Sequence, residues 1–148
     1  MKSSLVGALE LPDGVSLRGR GLGRPAPGGP NPEFGLYLGG AKLRRKYDGD
    51  LAWEHGWVRW PDFLLPLDWA GAHRDIVALH ARARDGHDVE VACYGGVGRT
   101  GTVLSCLATL SGLTADEAIA WTREHHHERA VETPWQRRWV AWFARRSR

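Results

Sequence analysis

A cysteine and an arginine flank a short glycine-rich segment in the second half of the chain. Residues 94–98 separate Cys93 from Arg99, and three of these five residues are glycine. Glycines allow successive backbone N–H groups to turn inward, and together with a helix N-terminus such groups bind a tetrahedral oxyanion and stabilise a thiolate. The planar guanidinium of an arginine binds two phosphate oxygens at once. These residue types at this spacing predict a cysteine nucleophile that attacks phosphorus.

An aspartate that could transfer a proton precedes this segment. Asp62 follows Trp60 and Pro61 and lies 31 residues before Cys93. The loop, helix and strand predicted between the two residues return the chain to the same carboxyl edge of an α/β sheet, where ligands bind. A carboxyl group there can protonate a leaving alkoxide or phenoxide and then activate water. An aspartate after proline is also common in turns, and Asp68 is an alternative acid, so the assignment of Asp62 depends on its pairing with the cysteine segment.

Short strands and helices alternate around these segments. Apolar runs predict strands at residues 15–18, 34–38, 57–60 and 89–93. Helical patterns and capping residues predict helices at residues 72–84, 99–110 and 115–127 and from residue 134 onward, with a short helix or loop at 42–49. This alternation predicts an α/β fold, a single-domain sandwich whose central, mostly parallel sheet of about four or five strands is flanked by helices on both faces.

Size and composition fit one globular domain. The chain has 148 residues, of which 43% are hydrophobic and 25% charged, as in ordinary soluble proteins. It has no apolar run long enough for a membrane span, and Glu10, Pro12 and Asp13 interrupt the early apolar patch before it resembles a signal peptide. With two cysteines, a reducing cytoplasmic location is expected. The net charge of +3 mildly favours anionic partners without indicating specific nucleic-acid binding.

Several motifs resemble those of the cysteine-based protein tyrosine phosphatase superfamily. Residues 93–101 match its phosphate-binding loop, Cys-x-x-Gly-x-Gly-Arg-Ser/Thr-Gly, throughout, and residues 60–66 resemble its mobile Trp-Pro-Asp loop. Residues 133–136 are similar to its glutamine-bearing loop, and the small size of the chain is closer to the compact dual-specificity branch. The resemblance covers residues 34–148, interpreted as the phosphatase domain. Residues 1–33, rich in glycine and proline, are interpreted as an irregular N-terminal arm of the same domain.

The resemblance implies a phosphatase that needs no metal and no cofactor and forms a phosphocysteine intermediate. Cys93 would attack the phosphorus, and Asp62 would protonate the leaving oxygen. Thr100 would assist departure of the thiolate, and Gln136 would position water. The phosphate oxygens would be bound by Arg99 and by the backbone amides of Tyr94, Gly95, Gly96, Val97 and Gly98.

The expected substrate is a phosphotyrosine protein or peptide, with phosphoserine and phosphothreonine left open, as is the oligomeric state. Two alternatives are a weakly active module that binds phosphorylated residues and a phosphatase of a non-protein phosphate ester. The first is suggested by Ala92, which stands where the family usually has a histidine that hydrogen-bonds around the thiolate. Glu132 likewise stands where the family's first water-positioning glutamine falls. The run of histidines at 125–127 predicts no metal site, because adjacent side chains on a helix diverge.

Overall fold

A five-stranded sheet forms the centre of the computed structural model, which describes residues 2–148. The strands are β1 (Leu9–Glu10), β2 (Ser16–Gly21), β3 (Phe34–Gly39), β4 (Glu54–Arg59) and β5 (Val89–Cys93). Their spatial order is β1-β2-β5-β3-β4, and the short β1 alone pairs in antiparallel fashion. The helices are α1 (Ala41–Tyr47), α2 (Trp69–Arg84), α3 (Gly98–Thr109), α4 (Ala115–His125) and α5 (Pro134–Arg146), with a 3-10 turn at Asp48–Asp50.

The central strand β5 determines where the cysteine lies. It is hydrogen-bonded to parallel strands on both sides, β2 and β3, and all five of its residues are buried. A strand enclosed on both faces is expected to be continuously apolar, and Val89-Glu90-Val91-Ala92-Cys93 departs from that rule only at Glu90. Because β2, β3, β4 and β5 run parallel, their carboxyl ends lie at one edge of the sheet, with Cys93 in its middle.

Helices cover both faces of the sheet, which confirms the predicted fold class. Alternate residues of a strand face opposite sides. On one side, Val91 and Cys93 join the main core with residues of α2, α3 and α5, such as Ile76, Leu104 and Phe143. On the other side, the buried residues Leu22, Tyr37, Leu51 and Ala92 form a smaller cluster on which Leu43 and Tyr47 of α1 pack. In the described part of the chain, no helix is long and apolar enough to cross a membrane.

The N-terminal arm is more ordered than predicted. Residues 1–33 were expected to be irregular apart from a short strand at 15–18, but the strand extends through residue 21 and β2 becomes an inner strand of the sheet. β2 extends this far because it packs closely against β5 and the cysteine segment. A Cβ on Gly21 would lie 2.7 Å from the carbonyl carbon of Gly95, so this close approach needs glycine. Residues 22–33 contain no helix or strand, as predicted.

A buried charge network ties the central strands together. Glu90 is fully buried, and its Oε1 accepts hydrogen bonds from Arg18 Nη2 at 2.7 Å and Arg20 Nε at 2.9 Å. Its Oε2 accepts a 2.7 Å hydrogen bond from the Tyr37 hydroxyl, which in turn accepts one from Trp53 Nε1. Burial raises the pKa of Glu90, but the hydrogen bonds from Arg20 and Tyr37 outweigh burial, and the pKa lies below its usual 4.5. The carboxylate therefore stays charged and joins β2, β3 and β5.

Replacing this carboxylate should destabilise the fold without touching the cysteine segment. Glu90→Gln leaves two arginines without their buried counter-ion, so the free energy of unfolding should fall by about 3–5 kcal/mol. The folded-state pKa lies below that of the unfolded chain, so wild-type stability from this group is present above about pH 4.5 and lost as the pH falls below it. Denaturant unfolding between pH 7 and pH 3 should show this loss in the wild type and a flatter profile in the variant. Equal profiles would contradict the role of Glu90.

Candidate active site

The backbone between β5 and α3 turns around the sulfur of Cys93. Gly96 has a φ of +77°, in the left-handed region that favours glycine, and a Cβ there would lie 2.6 Å from Gly21 N. This conformation directs the Gly96 N–H to Cys93 Sγ at 3.2 Å. The helix α3 begins directly afterwards, at Gly98. The segment thus combines an inward N–H group with a helix N-terminus, the arrangement that binds oxyanions.

Thr100 lies in the first turn of α3 and contacts the same sulfur. Its hydroxyl donates a hydrogen bond to Cys93 Sγ at 3.1 Å and accepts one from Cys93 N at 2.9 Å. The second bond fixes the hydroxyl oxygen, so the proton is directed to the sulfur. Two hydrogen-bond donors, the Gly96 N–H and the Thr100 hydroxyl, therefore point at the sulfur of Cys93. The other cysteine, Cys106, is fully buried in α3, and burial raises the pKa of its thiol far above the usual value, as expected for inert packing.

The guanidinium of Arg99 is buried, with 5% of its side chain exposed, and its hydrogen bonds to residues 2–148 come from Nη1. Its Nη1 donates to the carbonyl oxygens of Leu38, at 3.3 Å, and Trp60, at 3.0 Å. Nη2 lies 3.5 Å from Asp62 Oδ1. Nothing among residues 2–148 accepts a hydrogen bond from the buried Nε. The edge formed by Nε and Nη2 contacts a described residue only through this ion pair with Asp62, and it has the geometry for two oxygens of a phosphoryl group.

Asp62 is held beside Arg99 by a loop that we call the acid loop, residues 61–65. The fully buried Trp60 anchors its start and donates from Nε1 to the carbonyl oxygen of Leu64 at 2.8 Å. Trp135 of α5 donates to the carbonyl oxygen of Phe63 at 2.6 Å, and Phe63 adopts a φ of +60°, a strained conformation for an aromatic residue. The Asp62 carboxylate is 56% exposed, so it is accessible to a substrate.

The alternative acid, Asp68, is used elsewhere. It is the N-cap of α2, and its Oδ1 accepts a 3.0 Å hydrogen bond from Gly71 N.

A different carboxyl group, Glu132, lies close to Asp62 and Arg99. Burial raises the pKa of Glu132, and the negative charge of Asp62 raises it further. In the sequence, Glu132 is notable only because it differs from the family pattern. In the structure, it is a second carboxyl group near Arg99, in addition to Asp62.

Gln136 binds backbone groups in this structure, and its role with water stays a prediction. Its side chain is fully buried, Oε1 accepts from Glu132 N at 2.9 Å, and Nε2 donates to the carbonyl oxygen of Leu64 at 3.4 Å. Both ends of the amide therefore bind backbone groups. Gln136 supports the acid loop from the start of α5, where Thr133 caps the helix by accepting from Gln136 N.

Ala92 and the histidine run at 125–127 are two further features of the sequence whose surroundings the structure describes. Ala92 is fully buried in the smaller cluster with Leu22, Tyr37 and Leu51, so apolar packing surrounds the position at which the family usually has histidine. Of the three histidines, His126 comes close to the cysteine segment, with Nε2 2.7 Å from the carbonyl oxygen of Gly96. Within residues 2–148, no three His, Cys, Asp or Glu side chains come together as metal ligands.

A cleft of about 440 Å³ leads from the surface to Arg99 and Asp62. Leu43, Pro61 and the half-exposed Tyr94 form apolar parts of its wall, and Lys42 and Lys46 of α1 also line it. A cleft with apolar walls and a cationic end suits a ligand that joins an apolar group to an anion.

Comparisons with known proteins point to one family. A family model described as PTP-SAK, the DSP-PTPase phosphatase domain of Swiss Army Knife proteins, matches residues 70–141. Two curated proteins of Methanocaldococcus jannaschii, the uncharacterized proteins MJECL20 and MJ0215, are 42% and 41% identical to the chain over 66 residues. These alignments cover 45% of this chain and 42% and 39% of the relatives, so the match spans about two-fifths of their length.

Solved structures of phosphatases share the fold. Tk-PTP in its active form has a TM-score of 0.66 and 25% identity, over 78% of this chain and 80% of its own. Kinase associated phosphatase, with its catalytic-site cysteine changed to serine, has a TM-score of 0.67 and 17% identity, over 78% and 70% of the two chains. PTPMT1 in complex with PI(5)P has a TM-score of 0.60 and 17% identity, over 77% of each chain. The family model and the shared fold support a dual-specificity-like member of the protein tyrosine phosphatase superfamily.

Proposed function

We propose that the chain is a metal-independent phosphatase that hydrolyses phosphotyrosine in proteins or peptides through a phosphocysteine intermediate. The observation that carries this proposal is the buried guanidinium of Arg99. Its Nη1 is bound to two backbone carbonyls, its Nη2 lies 3.5 Å from Asp62 Oδ1, and its Nε has no acceptor among residues 2–148. A buried cation with an unpaired N–H is costly unless an anion binds to it. A phosphoryl group supplies both the negative charge and the two acceptor oxygens.

The first step would transfer the phosphoryl group to Cys93. The thiolate attacks phosphorus in line, the bond from phosphorus to the ester oxygen breaks, and Asp62 gives its proton to that oxygen. The carboxyl group lies within 3.5 Å of the guanidinium that would bind the phosphoryl group, which supports this role. Arg99 and the loop amides stabilise the charge on the transferring group, and this electrostatic stabilisation is the main need of phosphoryl transfer.

The second step would hydrolyse the phosphocysteine. Asp62, now a carboxylate, takes a proton from water as the water attacks phosphorus, and the bond from phosphorus to sulfur breaks. Thr100 would donate to the departing thiolate, and its 3.1 Å hydrogen bond to Cys93 Sγ supports this. Asp62 lies beside Arg99, and the Thr100 hydroxyl that follows Arg99 in α3 contacts Cys93 Sγ. This supports turnover over the alternative of a module that only binds phosphorylated residues.

The lining of the cleft supports the proposed substrate class. Apolar contacts from Leu43, Pro61 and Tyr94 suit the ring of a phosphotyrosine. The second candidate function, hydrolysis of a non-protein phosphate ester, is favoured by Lys42 and Lys46, which also line the cleft and could bind a further anionic group. PTPMT1, a protein of similar fold, was solved with PI(5)P. We prefer the phosphotyrosine substrate. Lys42 and Lys46 belong to α1, and the loop that would bind the scissile phosphate contains no lysine of its own.

A substrate panel tests the proposed function. Peptides of one sequence that carry phosphotyrosine, phosphoserine or phosphothreonine should be compared with a soluble inositol phosphate in steady-state assays with excess EDTA. We expect the highest kcat/KM for phosphotyrosine, inhibition by vanadate and no turnover by Cys93→Ser, because a serine hydroxyl does not ionise near neutral pH. Faster hydrolysis of the inositol phosphate would favour the second candidate. Tight phosphopeptide binding without turnover by the wild type would indicate the binding module.

Replacing the acid should affect substrates according to their leaving group. Asp62→Asn should lower kcat for a phosphotyrosine peptide by about 10²–10⁴-fold, the usual contribution of general acid–base catalysis. For an activated aryl phosphate, whose leaving oxygen needs no proton, the cleavage step measured in a single turnover should slow much less. Asp68→Asn is the matched control, because asparagine caps a helix as well as aspartate does. An equal loss with both substrates in Asp62→Asn, or this pattern in Asp68→Asn, would contradict the assignment.

A further inference from the structure

Four consecutive carbonyl oxygens of the phosphate-binding loop, residues 93–99, accept hydrogen bonds from outside the loop. The backbone N–H groups of Leu22 and Gly23 donate to the carbonyl oxygens of Cys93, at 2.8 Å, and Tyr94, at 2.9 Å. Arg24 Nε donates to that of Gly95 at 3.2 Å. His126 Nε2 donates to that of Gly96 at 2.7 Å. We call these four contacts the outer hydrogen bonds.

The outer hydrogen bonds determine where the amides of the loop point. In a planar trans peptide, the C=O of one residue and the N–H of the next point in opposite directions. Arg24, by binding the carbonyl of Gly95, therefore fixes the N–H of Gly96, which donates to Cys93 Sγ at 3.2 Å. In the same way His126, by binding the carbonyl of Gly96, fixes the N–H of Val97. Each outer donor thus orients one N–H group toward the side on which the anion would bind.

The loop needs this support because its sequence does not provide it. Gly95 and Gly96 have no side chains to restrict the peptide between them, and glycine adopts many backbone conformations at little cost. Ala92, the residue before Cys93, is apolar and packs in the smaller cluster. It offers no hydrogen bond to the loop, so donors must come from elsewhere in the fold.

His126 is built into a position from which it reaches the loop. The helix α4 ends at His125, two residues earlier than predicted, and His126 is its C-cap, with a backbone N–H that donates to Thr122 O. A Cβ on Gly19 of β2 would lie 3.4 Å from the ring carbon Cε1 of His126, so the ring packs closely over β2. Since Gly96 offers a carbonyl oxygen, Nε2 of His126 carries the hydrogen. Burial lowers the pKa of His126, so the ring is a neutral donor near neutral pH.

We propose that Arg24 and His126 are positioning residues, which hold the peptide planes of the phosphate-binding loop with their N–H groups toward the phosphoryl group. This proposal rests on the proposed phosphatase function of the same loop. Neither residue touches the substrate or the sulfur: they act through the carbonyls of Gly95 and Gly96. Through Leu22, Gly23 and Arg24, the N-terminal arm would thereby help to orient the N–H groups of the loop.

The test compares variants that remove or keep the donor at position 126. His126→Leu removes it, and His126→Gln places an amide N–H near the position of Nε2. In His126→Leu, kcat/KM for an aryl phosphate should fall by about 10- to 100-fold, mostly in kcat, because misdirected amides cost most in the transition state. The Kd of vanadate should rise in parallel. His126→Gln should recover most of both quantities, which a role in stability alone would not produce. His125→Leu, on the same helix but exposed, is the control.

Arg24→Met keeps most of the side chain and removes the second donor. Because Arg24 is exposed, we expect a smaller loss of about 2- to 10-fold in vanadate affinity, the contribution of one hydrogen bond, with Arg45→Met as the control.

If His126→Leu fails to fold, His126→Asn replaces it, because its shorter amide does not reach Gly96. A wild-type protein that neither hydrolyses phosphate esters nor binds vanadate would refute the proposed function. An active wild type with vanadate affinity and kcat/KM unchanged within two-fold in His126→Leu, or His126→Asn in its place, would refute the positioning role.

Discussion

The guanidinium of Arg99 is a buried positive charge, and three segments of the chain are joined through it. It binds the carbonyl oxygen of Leu38 at the end of β3, that of Trp60 before the acid loop, and lies 3.5 Å from Asp62. Two carbonyls and a half-exposed carboxylate compensate a buried cation incompletely. The site therefore favours an added anion, and the same contacts that anchor Arg99 hold Asp62 beside it.

Contacts elsewhere in the fold hold Cys93 and Asp62 in their positions near Arg99. The sheet places Cys93 beside Gly21 of β2, and the absence of a side chain at Gly21 allows the cysteine segment to pack against that strand. Below it, Glu90 joins β2, β3 and β5 through buried hydrogen bonds. On the other side of the site, Trp135 and Gln136 of α5 hold the acid loop. Cys93 and Asp62 are thus held by separate parts of the fold, and Arg99 follows Cys93 in the chain and lies 3.5 Å from Asp62.

The parts of the site that could be predicted from the sequence are those encoded locally. The strand at residues 89–93 was predicted with its observed bounds because a short apolar run ends at glycines. Gly96 and Thr100 follow Cys93 by three and seven residues and both contact its sulfur, and the resemblance already implied that Thr100 acts on the thiolate. Asp62 was identified by its neighbours Trp60 and Pro61, and its position near Arg99 fits that prediction, whereas its role in catalysis stays a prediction.

The parts that were missed depend on contacts between distant residues. Arg24 and Gly95 are 71 positions apart, and Gln136 and Leu64 are 72 apart, so no local pattern indicates either contact. β2 was predicted too short because glycine normally weakens a strand, whereas here glycines are needed for close packing. The sequence predicts that His126 lies within a helix. Because α4 ends at His125, His126 instead caps the helix and its ring contacts the loop.

The most direct test of the account is to trap the covalent intermediate. Asp62→Asn, which should hydrolyse the phosphocysteine slowly, can be mixed with an activated aryl phosphate, quenched in acid and analysed by peptide mass spectrometry. The account predicts one added phosphoryl group on the peptide that contains Cys93, and none in the corresponding variant that also carries Cys93→Ser. A phosphoryl group on a histidine peptide, or turnover with no adduct at any time, would contradict the account.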